Sequence, residues 1–146
     1  MGVRKHNMAQ RRKEERKNLY IASLRNCPTS PRKMRLVADL VRGMDVAKAS
    51  AVLQFTKKHA ARDLEKLLRS AISNFEQKSG ERWEEADLII KEISVDSGRM
   101  LKRIQPAPQG RAYRVRKRSN HVNMVLASMN SEINEKATAN TENTEA

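Results

Sequence analysis

The 146-residue sequence contains little from which a metal site, a disulfide framework or a membrane span could be built. Its one cysteine, Cys27, excludes an internal disulfide and a zinc site with several cysteine ligands. Its histidines, at positions 6, 59 and 121, lack the spacing of metal ligands. The longest apolar runs, residues 19–22 and 124–127, are four residues long, whereas a membrane helix needs about 20. We therefore predict a cytoplasmic protein with no metal, no cofactor and no membrane span.

Sequence motifs of catalysis are missing as well. There is no P-loop, no glycine pattern of a dinucleotide-binding fold, and no serine or cysteine in a nucleophile motif. The acidic neighbours Glu84, Glu85 and Asp87 are more typical of a solvated turn than of a general acid–base pair. For a chain this small and this basic, these absences predict a protein that is not an enzyme and has no catalytic residues.

Acidic residues are absent from one long stretch, and this absence shapes the charge distribution. The chain has 30 Lys and Arg against 17 Asp and Glu, a formal net charge of +13. Residues 99–118 contain eight basic residues and no acidic one, while residues 1–18 contain seven basic and two acidic ones. Residues 19–98, with fourteen basic and eleven acidic residues, are almost balanced. Such an excess favours a polyanionic partner, with nucleic acid ahead of an acidic membrane surface.

The same distribution predicts one domain with two extensions. We expect residues 19–128 to form a single α+β domain. Residues 1–18 form a basic arm that a partner would order, although a localisation signal and a solubilising segment remain alternatives. Residues 129–146 are predicted to be a disordered acidic tail, because they cannot bury enough apolar surface to offset the entropy lost on ordering.

Three segments with helical periodicity predict helices. The first begins with Ser30 as its N-cap and Pro31 in its first turn, and it ends before Gly43. A short second helix follows Asp45, and the longest helix covers about residues 57–78. Their apolar positions recur every three to four residues, so each helix is expected to bury one face against a sheet.

Three further segments predict strands, namely residues 19–25, 87–95 and about 113–126. Three helices packed on a three-stranded antiparallel sheet would give an α+β fold. The last two strands should pair as an extended β-hairpin over residues 93–122, which at ~3.3 Å per residue would reach ~50 Å. Pro106, Pro108 and Gly110 suit an irregular tip.

The hairpin is the strongest candidate interface. An isolated two-stranded ribbon is marginal in water, and one without acidic residues should stay loose until a polyanion neutralises it. Arg114, Arg116 and Arg118 recur at every second residue, which aligns three guanidinium groups on one strand face. The planar guanidinium donates two parallel hydrogen bonds to phosphate. A solvated basic loop is the alternative, and Tyr113 could either stack on a base or pack beside the sheet.

The first helix supplies a second group of candidates. Arg32, Lys33 and Arg35 crowd its first turns, where cations oppose the helix macrodipole, so we infer that they serve an external anion. The predicted RNA-binding residues are Arg32, Lys33, Arg35, Arg99, Lys102, Arg103, Arg111, Arg114, Arg116, Lys117, Arg118 and His121.

Several stretches of the sequence resemble motifs of one family, that of large-subunit ribosomal protein twenty-two. SPRKMRLVADLVRG at residues 30–43 resembles its first helix, and KLLRSAISN at residues 66–74 resembles its long helix. The hairpin motifs are KRIQP at 102–106, GRA at 110–112, KR at 117–118 and HV at 121–122. These motifs keep the family's order over about residues 19–127, whereas the basic arm and the acidic tail lie outside the common pattern.

The resemblance implies a structural constituent of the large ribosomal subunit that binds large-subunit ribosomal RNA and neighbouring ribosomal proteins and contributes to subunit assembly. It implies a body near the exit of the peptide tunnel and a hairpin that runs inward. The hairpin tip would line the tunnel and face the nascent peptide through Ile104, Gln105, Pro106, Ala107, Pro108, Gln109 and Gly110. Pro108 and Gln109 stand where the family often has basic residues, so this tip carries less charge. We expect no homo-oligomer.

Two rival hypotheses belong to other classes. A DNA- or chromosome-compacting protein would explain the charge alone, and it predicts equal affinity for duplex DNA and ribosomal RNA. A small RNA-modifying enzyme would need a substrate pocket with a nucleophile or a cofactor motif, and the sequence contains neither motif.

Overall fold

The computed structural model describes residues 3–17 and 19–128, so the predicted acidic tail lies outside the described residues. The elements are α1 (Val3–Lys17), β1 (Tyr20–Cys27), α2 (Pro31–Val41), α3 (Val46–Phe55), α4 (His59–Ser79), β2 (Leu88–Pro106), a 3₁₀ turn (Pro108–Gly110) and β3 (Ala112–Ser128). The three strands form one antiparallel sheet in the order β1-β3-β2, and the helices α2, α3 and α4 cover one face of it. This confirms the predicted α+β class and the paired hairpin.

The basic arm is helical in the structure, which adds one helix to the three that were predicted. Much of α1 consists of Ala, Gln, Arg, Lys and Glu, which are favourable helix formers. The arm lacks an apolar stripe, the signal on which the other three predictions depended, and so its helix was missed.

The core lies between the helices and one face of the sheet. Met34 and Val37 of α2, Leu64 and Leu68 of α4 and Met124 of β3 are all at most 1% exposed. The opposite sheet face is more open, and Ile21 there is 37% exposed. The sheet therefore has a helix-covered face and an open face, as alternation along its strands requires.

Local signals in the sequence set the ends of the helices. Pro31 occupies the first turn of α2 as predicted, although the Ser30 side chain makes no capping hydrogen bond. The Asp45 carboxylate accepts a hydrogen bond from the Ala47 backbone N–H at 3.2 Å and caps α3. At the end of α4, Gly80 adopts the left-handed conformation with φ of 75°.

Two β-bulges adjust the pairing of β2 with β3. The register shifts once between Ile90 and Glu92 and again between Ser97 and Met100. Because the first shift inserts one extra residue, Ile90 and Ile93 both point toward the helices although three positions separate them. These bulges lie on β2, so the alternation along β3 is unbroken.

The outer edge of β2 is covered by α2 and the loop that follows it. The Gly43 N–H donates to the Ile90 carbonyl at 3.1 Å, and the Ile90 N–H donates to the Met44 carbonyl at 3.0 Å. Further along, the Arg42 guanidinium donates to the Ile93 carbonyl at 3.2 Å. An edge strand otherwise presents unpaired backbone groups, and here the domain itself bonds several of them.

Candidate nucleic-acid interface

Beyond the body, β2 and β3 continue as a two-stranded ribbon, which we define as residues 100–118. Pairing runs without interruption from Met100 opposite Arg118 to Pro106 opposite Ala112. The eight cations of residues 99–118 all have exposed side chains. Among the side chains that the structure describes, at residues 3–13 and 19–128, no carboxylate forms an ion pair with any of them. The folded chain therefore leaves this charge available to a polyanion.

The ribbon has two chemically different faces, because residues directly opposite each other in an antiparallel pair point to the same side. The arginine face carries Arg114, Arg116 and Arg118 on β3, opposite Ile104, Lys102 and Met100 on β2. The mixed face carries Tyr113, Val115 and Lys117 on β3, opposite Gln105, Arg103 and Leu101 on β2.

The arginine face is the continuation of the helix-covered face of the sheet. Along β3, Val122 and Met124 are fully buried under the helices, and Asn120 is the last buried residue before the ribbon. Alternation then brings Arg118 and Arg116 to the same side. The sheet face that helices cover in the body thus becomes cationic where the helices stop.

The first turn of α2 lies at the base of the ribbon. Arg42 contacts the Ile93 carbonyl and Arg35 contacts the Val95 carbonyl, so α2 runs opposite to β2 and directs its N-terminus toward the ribbon. Next to this end, the Asn120 side-chain amide donates to the Thr29 carbonyl at 2.6 Å. The α2 N-terminus therefore approaches β3 two residues after Arg118, a separation of ~6.6 Å along a strand.

The two groups of cations predicted from the sequence thus lie on one side of the molecule. Arg32 and Lys33 are exposed in the first turn of α2, and Arg118 begins the arginine face beside it. The helix N-terminus adds the partial positive charge of the macrodipole. Together they place positive charge along one side of the sheet at the base of the ribbon.

Arg35 has an internal partner as well. Its Nε and Nη2 atoms donate to the Val95 carbonyl at 3.2 and 2.9 Å. Sequence reasoning could not detect this bond, because it depends on where β2 lies after folding. A contact between Arg35 and RNA stays a prediction, and the geometry assigns the residue a role in holding α2 against the sheet edge.

His121 lies on the open side of the sheet rather than with the arginine face. Its Nδ1 atom accepts a hydrogen bond from the Asn26 backbone N–H at 3.0 Å, so only Nε2 could contact phosphate. Asn26 has φ of 56°, and β1 bulges at this point. His121 thus ties β1 to β3 at the ribbon base, and its predicted contact with RNA remains untested.

The tip is compact and carries no charge between Arg103 and Arg111. The 3₁₀ turn contains Gln109 and Gly110, with φ of 61° and 69°, and the Ala107 N–H donates to the Arg111 carbonyl at 2.9 Å. Ile104 next to it is 75% exposed. The irregular tip predicted from the proline and glycine positions is confirmed.

Sequence reasoning missed the residues that form the ribbon base. Gly98 lies in the second bulge, where an added Cβ would come within 3.2 Å of the Ser119 backbone and of His121 Nε2. The Ser119 hydroxyl donates to the Arg99 carbonyl across the same bulge. A glycine inside a strand often marks a bulge or a close backbone approach, so Gly98 was a signal that could have been used.

Two other kinds of site are not found in the described part of the chain. Within residues 3–17 and 19–128, no three side chains of His, Cys, Asp and Glu come together as metal ligands would. Among the helices described, none has the length and apolar character needed to cross a membrane.

Comparison with known proteins gives one consistent match. The model of a family described as ribosomal protein L22p/L17e matches residues 22–127. Large ribosomal subunit protein uL22 of Flavobacterium johnsoniae is 63% identical over 131 residues, which cover 89% of this chain and 96% of that protein. The protein of the same name from Porphyromonas gingivalis is 55% identical over 134 residues, or 92% of this chain and 100% of the relative. The family match begins in β1 and ends near the end of β3, so α1 lies outside it.

Proposed function

Because this chain belongs to the ribosomal protein L22p/L17e family, it is a structural, non-enzymatic constituent of the large subunit of the bacterial cytoplasmic ribosome, and we propose that its arginine face and the first turn of α2 bind large-subunit ribosomal RNA. The observation that carries this proposal is the continuity of the helix-covered sheet face with the arginine face. Ribosomal RNA is the polyanion that such a constituent meets, and it would replace the helices as the covering layer.

Charge neutralisation supplies most of the affinity in this proposal. Each Lys or Arg that contacts a phosphate releases condensed counterions, so binding weakens as salt rises. The guanidinium forks of Arg114, Arg116 and Arg118 recur at ~6.6 Å along β3 and can each engage a phosphate. The ribbon would recognise RNA by the shape and charge of the RNA backbone rather than by base edges, as is usual for structured RNA.

The tip has a different task in the proposal, which rests on the resemblance to the family. Residues 104–110 carry no charge, although cations flank them on both sides. A neutral and exposed tip would let a nascent peptide of either charge pass along it, while Arg103 and Arg111 hold the adjoining RNA. We therefore assign the tip to the wall of the nascent-peptide exit tunnel.

A contribution to subunit assembly follows from the same charges. A ribbon with unopposed cations is marginal alone and becomes ordered when RNA closes around it. Ordering the ribbon would in turn fix the RNA segments that it contacts relative to each other. The protein would thereby stabilise one arrangement of the ribosomal RNA.

The salt dependence of binding to purified large-subunit ribosomal RNA tests the proposal. Replacing Arg114, Arg116 and Arg118 by Ala should reduce the slope of log K against log salt by about 2–3, roughly one for each lost phosphate contact. The matched control removes three exposed cations from α3, from the middle of α4 and from the loop after α4, through Lys48→Ala, Arg69→Ala and Arg82→Ala.

The control variant should keep at least most of the wild-type slope, because its cations lie away from the ribbon. An equal loss of slope in both variants would show a general charge effect and contradict the proposal. Wild-type affinity for duplex DNA equal to that for ribosomal RNA at matched salt would instead favour a general nucleic-acid binder.

A further inference from the structure

Helix α1 is exposed along the part of its length where side chains are described. From residue 3 to residue 13 every side chain is exposed, with Val3 at 74% and Met8 at 53%. An isolated helix of this length is marginal in water. Burial against the body does not stabilise this stretch, so another surface would have to stabilise it.

Over residues 3–13, the cations of α1 form two belts around the helix. Arg4 and Lys5 lie in the first belt, and Arg11, Arg12 and Lys13 lie in the second. Seven residues separate corresponding positions, which places the belts ~10 Å apart along the axis. Neighbouring residues differ by ~100° around the helix, so each belt faces more than one direction.

Over residues 3–13, one stripe of the helix has no cation. Val3, Asn7 and Gln10 recur at spacings of four and three residues and lie along this stripe, and Lys17 takes its last position at the end of α1. The stripe over residues 3–13 would face away from an anionic partner, and its residues provide control positions for experiments on the helix.

This arrangement suits an RNA groove better than a membrane surface. A helix that lies on a membrane needs an apolar face, whereas Val3 and Met8 are five residues apart and lie on different sides of α1. Cations that face several directions can contact phosphates on two sides of a groove. No acidic residue occupies the first turn, where the macrodipole would favour one.

Helix α1 is attached to the sheet at the end opposite the ribbon. Tyr20 at the start of β1 pairs with Leu126, whereas Cys27 at its end pairs with Asn120 at the ribbon base. The arm therefore joins the sheet at its opposite end, ~23 Å away along β1. The Lys78 ammonium donates to the Leu19 carbonyl at 2.9 Å and anchors this junction.

We propose that α1 is a second RNA-binding element, which contacts a segment of large-subunit ribosomal RNA different from the segment that the ribbon contacts. The inference rests on the proposed function, since it requires the ribbon to be seated in ribosomal RNA. Helix and ribbon join the almost neutral body at opposite ends of the sheet, so the protein would bridge two RNA segments.

Directed hydroxyl-radical cleavage inside assembled subunits tests this inference. The full chain carries Cys27→Ala and a tethered iron chelate at either Met8→Cys or Gln109→Cys, and it replaces the native protein in large subunits. We expect RNA cleavage from position 8 at sites distinct from those cleaved from position 109. Cleavage from position 109 alone, or identical sites from both positions, would overturn the inference while leaving the ribbon assignment intact.

Charge variants in the native-cysteine background provide an independent test. Lys5→Gln with Arg12→Gln should lower the salt slope of ribosomal RNA binding by about 2. Asn7→Glu with Gln10→Glu makes the same change in net charge on the cation-free stripe and should have less than half that effect. Equal effects, or no effect of the first pair, would overturn the inference. Loss of slope only in the ribbon variants would confine RNA binding to the ribbon.

Discussion

Gly98 shows how a single residue sets the geometry of the ribbon. The bulge brings its backbone so close to β3 that a Cβ would lie 3.2 Å from the carbonyl carbon and oxygen of Ser119. Backbone atoms of a paired strand cannot move aside as a flexible side chain can. The small size of glycine, rather than its conformational freedom, is therefore what this position requires.

Replacing Gly98 by Ala should shift the ribbon relative to the body and cost about 1–3 kcal/mol of stability. Urea unfolding would measure the loss, and affinity for ribosomal RNA should fall with it. Gly80→Ala is the control, because its cost comes only from φ of 75° in open space, far from the ribbon. Unchanged RNA affinity in Gly98→Ala would contradict this role.

Cys27 makes the stability of the domain depend weakly on pH in the alkaline range. Burial raises the pKa of its thiol above the ordinary value, and the nearby Asp63 carboxylate, 3.3 Å from the sulfur, acts in the same direction. A raised folded-state pKa means that the neutral thiol is favoured by folding. This contribution is fully present below the pKa of the unfolded thiol and is lost as pH rises through the folded value.

The wild-type protein should accordingly lose stability relative to Cys27→Ala as pH rises above about 8.5. Urea unfolding of both proteins at several pH values would show the difference. Thiol reagents should label native Cys27 more slowly than the unfolded chain throughout this range, because the side chain is 4% exposed. A constant stability difference across pH would contradict the assigned pKa direction.

At the scale of elements, α2 supports the sheet edge and supplies part of the interface. Its inward residues pack in the core, Arg35 and Arg42 bond to carbonyls of β2, and Arg32 and Lys33 remain exposed near the ribbon. The cations that appeared equivalent in the sequence therefore divide into two structural roles. This division follows from the helical positions that face β2.

Arg35→Ala should destabilise the domain by about 1–2 kcal/mol, because the Val95 carbonyl loses both hydrogen bonds from a charged donor. Arg35→Lys should recover only part of this loss, since an ammonium lacks the fork that reaches one oxygen with two nitrogens. Chemical unfolding would measure both variants. Arg32→Ala should be close to neutral for stability, and an equal cost for Arg32 and Arg35 would contradict the division of roles.

The sequence predicted the elements that have their own periodicity or end signals. The apolar stripe of α4 and the Asp45 cap of α3 are local patterns, and both are confirmed. The outer parts of β2 and β3 were predicted as a hairpin from charge and turn residues rather than from alternation. The bulges near Lys91 and Gly98 were missed, because they depend on register with a strand that is distant in sequence.

Charge is unevenly distributed over the whole molecule, with a nearly neutral body between two cationic extensions. The body between the two cationic extensions is nearly neutral, so it can pack tightly without self-repulsion. The extensions leave the sheet at opposite ends. A cationic ribbon and a cationic helix so placed are suited to joining RNA segments that would otherwise be held apart.

The candidate site could be predicted only in part from the sequence. Residue types and spacing identified Arg114, Arg116 and Arg118 as one row. The sequence could not show that this row extends the core face, or that α2 directs its first turn toward Arg118, because both depend on tertiary packing. Arg35 and His121 likewise have partners that only the folded chain shows.

A density map of large subunits from the cells that make this protein, at a resolution that shows side chains, would locate the ribbon relative to RNA. Arg114, Arg116 and Arg118 should lie against RNA phosphates, the first turn of α2 on the same RNA surface, and the 104–110 tip at the tunnel wall. A ribbon that projects into solvent, or one that turns its arginine face away from RNA, would contradict the central claim.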